Sequence, residues 1–130
     1  MTILVADCSA YIDFFVSSIL SKTLSALSTG ELHAPSLVDF EFVSVIRRKA
    51  QRGEIGSAES ALAIGDFMGL DITRHHASRL IPRMWSLREA VSAYDASYVA
   101  LAEALDAPLL TSDMHLARAA EPYCEVIVAG

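Results

Sequence analysis

Thr2-Ile3-Leu4-Val5-Ala6-Asp7-Cys8-Ser9 is the stretch from which the architecture follows. Thr2 to Ala6 is an unbroken apolar run rich in β-branched residues, and Asp7 ends it. A run of this kind is a strand covered on both faces. Ser9 reads as an N-cap that opens a helix through Tyr11, Ile12, Phe15 and Val16. A buried strand that feeds straight into a helix is the repeating unit of a parallel α/β sheet.

Outward from this unit the same grammar recurs. Ser17 to Ser28 reads as a second helix, with Ile19, Leu20, Thr23, Leu24 and Leu27 on one face and Gly30 as its stop. Leu32 to Ala34 is a brief extended piece. Pro35-Ser36 opens the clearest helix, to about Arg52, with Gly53 past its end. Ser57 to Met68 is another helix, ended by Gly69, and Leu70 to Thr73 is a candidate strand. Arg74 to Arg88 reads as a helix that Pro82 kinks or divides. Ser92 starts a helix to about Leu105, Ala107 to Ser112 is a strand, Asp113 to Ala120 a short helix, and Glu125 to Ala129 the closing strand. The expectation is one α/β domain over residues 1–130, a three-layer α/β/α stack around a central, mainly parallel sheet.

Composition narrows the class. With 53% apolar and 20% charged residues, the 130-residue chain is neither disordered nor too small to bury a core. No apolar stretch of about 18 residues lacks a charge, so no membrane span is expected. Met1-Thr2-Ile3 carries no basic leader pattern, and Cys8 and Cys124 show neither a disulfide framework nor metal spacing. A reducing, cytoplasmic setting is the expectation. The net charge is −6, yet the basic side chains concentrate mid-chain, at Arg47, Arg48, Lys49, Arg52, Arg74, Arg79, Arg83 and Arg88. An acidic chain does not attract nucleic acid through its overall field. A polyanionic partner would need local basic patches or bound cations.

Ligands of parallel sheets sit beyond the carboxyl ends of the strands. Asp7 and Asp113 both fall there, although either could simply cap the helix that follows. Glu41 lies four residues from Leu37 and from Val45 on an otherwise apolar stripe, where an unpaired carboxylate is costly. It calls for a salt bridge, to Arg48 or Arg79, or for a metal ion. Asp95 follows Ser92 by three, as in a capping box, but a first-turn carboxylate at the sheet edge can also face an ion. Four clustered carboxylates repel one another and favour a divalent cation, and an all-oxygen set suits Mg²⁺ or Mn²⁺. His33, His75, His76 and His115 lack zinc spacing, and His75-His76 reads as a solvated helix start. Carboxylate-held Mg²⁺ generally acts on phosphates.

The segments Val5-Ala6-Asp7-Cys8-Ser9, Pro35 to Arg48 around Glu41, Ser92 to Ala102 around Asp95, and Leu109-Leu110-Thr111-Ser112-Asp113 together resemble a PIN domain. In order and spacing they look like the VapC-type toxins of bacterial toxin–antitoxin pairs. The resemblance spans nearly the whole chain. It implies a PIN-like α/β/α fold and a metal-dependent endoribonuclease that cleaves structured RNA, of the tRNA or rRNA class, with a metal-activated water. Asp7, Glu41, Asp95 and Asp113 match the family's acidic quartet, as catalytic and metal-binding residues. Ser9 and Thr111 match polar positions that support the first and last acids. Ser44 departs from the Asn that many relatives carry after the helix Glu. The resemblance also implies a homodimer and inhibition by a cognate VapB-like antitoxin.

Arg47, Arg48, Lys49 and Arg52 form the densest basic cluster and are the RNA-contact candidates, with solvated helix faces as the plainer reading. Tyr11, Phe14, Phe15, Phe40 and Phe42 are mostly core, and some could line a groove for an amphipathic antitoxin helix. A phosphate-accepting receiver domain would need a late lysine, whereas Lys22 and Lys49 are both early. No glycine-rich phosphate loop supports a nucleotide-binding domain. The remaining alternative is a non-catalytic PIN-like scaffold that binds RNA or a partner.

Overall fold

A computed structural model describes residues 2–16 and 22–129 of the chain. Five strands form one sheet: β1 (Thr2–Ala6), β2 (Gly30–Pro35), β3 (Ile72–His75), β4 (Leu109–Thr111) and β5 (Val126–Val128). Their order is β3-β2-β1-β4-β5, and every pairing is parallel. The central strand, β1, bonds to β2 with Val5 opposite His33 and to β4 with Val5 opposite Leu109.

Seven helices connect the strands among the described residues: α1 (Cys8–Phe15), α2 (Lys22–Thr29), α3 (Leu37–Gln51), α4 (Ser57–Met68), α5 (Ile81–Ser86), α6 (Ala93–Leu105) and α7 (Met114–Ala120). The first three strands step outward in one direction, from β1 to β3. The chain then returns past them to β4 and β5. Right-handed crossovers therefore place α1 to α4 on one face and α5 to α7 on the other. This reversal opens a crevice at the carboxyl ends of β1 and β4, where the chain departs to opposite faces.

Each face has its own packing. On one, Phe42 lies flat against Phe67 with centroids 4.0 Å apart, and Tyr11 meets Phe67 edge-on at 5.5 Å. On the other, Tyr98, Val99, Leu101 and Ala102 of α6 are buried, with Leu116 of α7. Gly30 has to be small, because a Cβ there would stand 3.0 Å from both the Ala26 carbonyl oxygen and Leu4 Cβ.

Three local expectations give way. The cap of α1 is Asp7, not Ser9: Asp7 Oδ1 accepts from the Ala10 amide, and Ser9 already lies inside the helix. The segment read as one helix over Arg74 to Arg88 divides into three. β3 continues to His75, a 3₁₀ turn spans Ala77–Arg79, and Pro82 sits in the first turn of α5, where its missing N–H costs nothing. His75 is accordingly a strand residue, 2.7 Å from His33 across the sheet, not a solvated helix start. Of the helix read over Ser17 to Ser28, residues 17–21, with Ile19 and Leu20, lie outside the described residues.

Candidate active site

The crevice between β1 and β4 holds a cavity of 740 Å³. Asp7, Glu41, Asp95 and Asp113 all line it. Four separate elements bring them there. Asp7 follows β1 and caps α1, and Asp113 follows β4 and caps α7. Glu41 lies on α3 and Asp95 in the first turn of α6.

Asp7 is the deepest, at 6% exposure. Its Oδ1 accepts from Ser9 Oγ at 2.7 Å and from the Ala10 amide at 3.1 Å, and its Oδ2 accepts from Thr111 Oγ1 at 2.8 Å. Ser9 Oγ in turn accepts from the Ser112 amide, and Thr111 Oγ1 from the Asp113 amide, each at 3.0 Å. Both hydroxyl protons are thus committed to Asp7 while both hydroxyl oxygens hold the loop after β4. Ser9 and Thr111 tie the first and last acids into one network. Thr111 is fully buried, so Thr111→Val should cost about 2 kcal/mol by stranding these partners, whereas Thr111→Ser should keep most of the stability. Equal denaturant midpoints for Thr111→Val and the parent would contradict this role for the hydroxyl.

Glu41 reaches the cavity by helical periodicity. Leu37, Phe40, Glu41, Ser44, Val45 and Arg48 repeat at three and four residues and form the face of α3 that lines the cavity. Val38, Phe42 and Ile46 form the adjacent buried stripe. Neither Arg48 nor Arg79 forms the salt bridge offered for Glu41, and its side-chain partner among the described residues is a tyrosine. Among the described residues Glu41 has no ion pair, and its Oε1 accepts from Tyr98 Oη at 2.5 Å. Tyr98 is buried and sits one turn after Asp95 on α6. Asp95 completes only half of a capping box: its amide donates to Ser92 Oγ at 3.2 Å, and its carboxylate has no donor among the described residues.

Electrostatics link the four. Burial pushes the Asp7 carboxyl up from 3.8 to about 6, against the pull of its Ser9, Thr111 and Ala10 hydrogen bonds, and Asp113 adds to the rise. Burial also raises Asp95, with Asp113 adding, and raises Glu41, with Asp95 adding while Tyr98 opposes. Beside Asp7, burial moves the Cys8 thiol up to about 12, so Cys8 is an inert neutral lining residue at neutral pH.

The donor chemistry fits a hard divalent cation. All four groups are carboxylates, their crowding is unfavourable, and Asp113 Oδ2, Glu41 Oε2 and both Asp95 oxygens have no protein donor among the described residues. The set is not drawn tight: among the described residues no three His, Cys, Asp or Glu side chains already form a closed cage.

Of the basic candidates, only Arg48 lines the cavity. Lys49 stands 3.7 Å from Glu54, Arg47 is exposed elsewhere on α3, and Arg52 is exposed just past its end. Arg74 is occupied by Asp39 through contacts of 2.8 and 2.9 Å, and Arg83 grips both oxygens of Glu103. The residue that sequence reasoning missed is Tyr98. Its signal was its place three residues after Asp95, on the same helical face.

The chain is similar to known proteins over most of its length. The PIN-domain family profile matches residues 4–122. Ribonuclease VapC9 of Mycobacterium tuberculosis is 39% identical over 125 residues, covering 96% of this chain and 97% of its own. Ribonuclease VapC1 of the same organism is 39% identical over 127 residues, covering 94% of each chain. The crystal structure of PAE2754 from Pyrobaculum aerophilum superposes with a TM-score of 0.68 over 96% of this chain and 89% of that one. At 17% identity it speaks to the fold alone.

Proposed function

The chain belongs to the PIN-domain family, alongside the VapC ribonucleases, and on that premise we propose that it is a Mg²⁺- or Mn²⁺-dependent endoribonuclease toxin. The observation that carries this reading is the convergence of Asp7, Glu41, Asp95 and Asp113 on one cavity at the reversal of the sheet. The substrate class is structured RNA such as tRNA or rRNA, and a VapB-like antitoxin is the inhibitory partner, with the toxin acting as a homodimer.

Asp7, Asp95 and Asp113 would hold the principal ion, and Glu41 would hold a second ion or orient the attacking water. The chemistry that such ions supply when bound is activation of a water and neutralisation of the leaving oxygen in an in-line displacement. The chain's own residues do the positioning. Ser9 and Thr111 fix both Asp7 oxygens, so the deepest carboxylate cannot swing away. Tyr98 pins Glu41 Oε1 and leaves Oε2 without a protein donor among the described residues. Arg48, on the cavity wall, offers a cation to a phosphate oxygen. Water attack leaves a 5′-phosphate and does not use the RNA 2′-hydroxyl as nucleophile.

Partner shells of this kind tune metal affinity by about tenfold or more. Tyr98→Phe should therefore weaken Mn²⁺ binding about tenfold in calorimetry, with an unchanged circular dichroism spectrum. An affinity equal to the parent's would remove Tyr98 from the site. The function itself is tested by mapping RNA ends after brief induction in a bacterial host, with Asp7→Asn as control. New ends at a defined structured RNA are expected in the parent only. A chain that binds RNA but generates no ends would be a scaffold.

A further inference from the structure

Two aromatic rings on the cavity wall take no part in the acid cluster or the core. Phe40 is 75% exposed and Tyr94 is 65% exposed, although each lies within the lining of the cavity. Each immediately precedes an acid: Phe40 stands before Glu41 on α3, and Tyr94 before Asp95 on α6. The two rings therefore come from helices on opposite faces of the sheet and stand beside the acids of opposite walls.

We propose that Phe40 and Tyr94 form a nucleobase-stacking subsite that receives unpaired bases next to the scissile phosphate. This rests on the ribonuclease reading above. A phosphate brought down to the buried Asp7 carries its flanking bases to the surrounding wall. Electrostatics alone hold such a substrate poorly, because four carboxylates face it and, among the described residues, Arg48 is the only basic side chain lining the cavity. Stacking on an aromatic face does not depend on charge and tolerates any base. It also requires the base to be free of a duplex, so the subsite selects unpaired nucleotides. Leu37, Val45 and Ile12 add apolar surface to the same lining.

The test uses a short single-stranded oligoribonucleotide carrying 2-aminopurine, titrated with the full-length Asp7→Asn protein in the presence of Mn²⁺. Quenching of the fluorophore reports stacking directly. In that background Phe40→Leu and Tyr94→Leu should each weaken binding about tenfold and reduce the quench, while Phe40→Trp and Tyr94→Phe retain both. The slope of affinity against salt should stay the same, which separates stacking from lost phosphate contacts. Leucine variants that bind and quench like their parent would overturn the subsite. So would an unchanged RNA affinity accompanied by loss of self-association or of antitoxin binding, which would make the rings a protein-docking face. If the wild-type chain neither cleaves cellular RNA nor binds the oligonucleotide, the ribonuclease reading itself fails. Binding and cleavage that ignore both rings defeat only the subsite.

Discussion

Asp7→Asn is expected to lower RNA cleavage about a thousandfold or more and, in the same molecule, to raise thermal stability at pH 7 in the absence of metal. The first effect follows from the position of Asp7 at the base of the cavity, with both oxygens fixed by Ser9, Thr111 and Ala10. The second follows from its burial. Its carboxyl is held at about 6 instead of 3.8, so the charged form is disfavoured in the folded chain. At neutral pH this opposes folding by on the order of 3 kcal/mol, which a neutral amide of the same shape does not incur. Asparagine can still accept from Ser9 and Ala10 and turn its amide toward Thr111, so part of that energy is recovered as a melting point several degrees higher. Thermal melts in chelator, set beside cleavage assays, check both halves. A less stable Asp7→Asn protein would contradict the account of a carboxylate whose burial outweighs its hydrogen bonds.

Chelation is expected to abolish cleavage and to leave a fold whose stability declines as pH rises. The folded chain binds the Asp7 proton more tightly than the unfolded chain does. Its stabilising contribution is full below about pH 4 and is lost as pH climbs through about 6. The raised Asp95 and Glu41 act in the same direction. A divalent cation should reverse this above pH 6, because it stabilises the ionised carboxylates by mass action and competes with their protons. At saturating Mn²⁺ the melting point should rise much more at pH 7 than at pH 5. An equal rise at both values, or cleavage that survives chelator, would contradict a carboxylate-held ion.

The sequence disclosed those parts of the fold that short-range chemistry dictates. The start of α3 after Pro35-Ser36 was legible, although Ser36 makes no side-chain capping bond. Its end before Gly53, with φ of +72°, was legible because a left-handed stop is local. The end of α6 at Asp106 was legible for the same reason, although there a non-glycine takes the left-handed turn, at φ 49°. β3 was placed two residues early and cut short, because only Ile72 of its four residues is buried. Its extent is set by pairing with Leu32 to Pro35, some forty residues away, which no local pattern records. The choice of Asp7 over Ser9 as the α1 cap has a similar origin. The Asp7 amide is still bonded to the Leu110 carbonyl, so the chain turns there, at the last rung of the sheet.

The candidate site was legible to the same depth. Two strand ends, one helix start and the acid on the α3 stripe pointed to the four carboxylates that line the cavity. Periodicity did not show that Glu41 is held by Tyr98, since that contact joins residues 57 apart. Nor did the basic cluster reveal that Arg48 alone of its four members would reach the cavity, which depends on how α3 is rotated against the sheet. Charge counting shows the same limit. A net charge of −6 argued against a nucleic-acid partner, but four of those acids converge on one cavity, where bound cations would offset them.

The most direct test of the central claim, that these four carboxylates form one cation-dependent hydrolytic site, is the end chemistry of RNA cut by highly purified protein in Mn²⁺. The account predicts 5′-phosphate and 3′-hydroxyl ends that disappear both in chelator and with Asp7→Asn. Ends bearing a 2′,3′-cyclic phosphate, or cleavage that persists in Asp7→Asn, would contradict it.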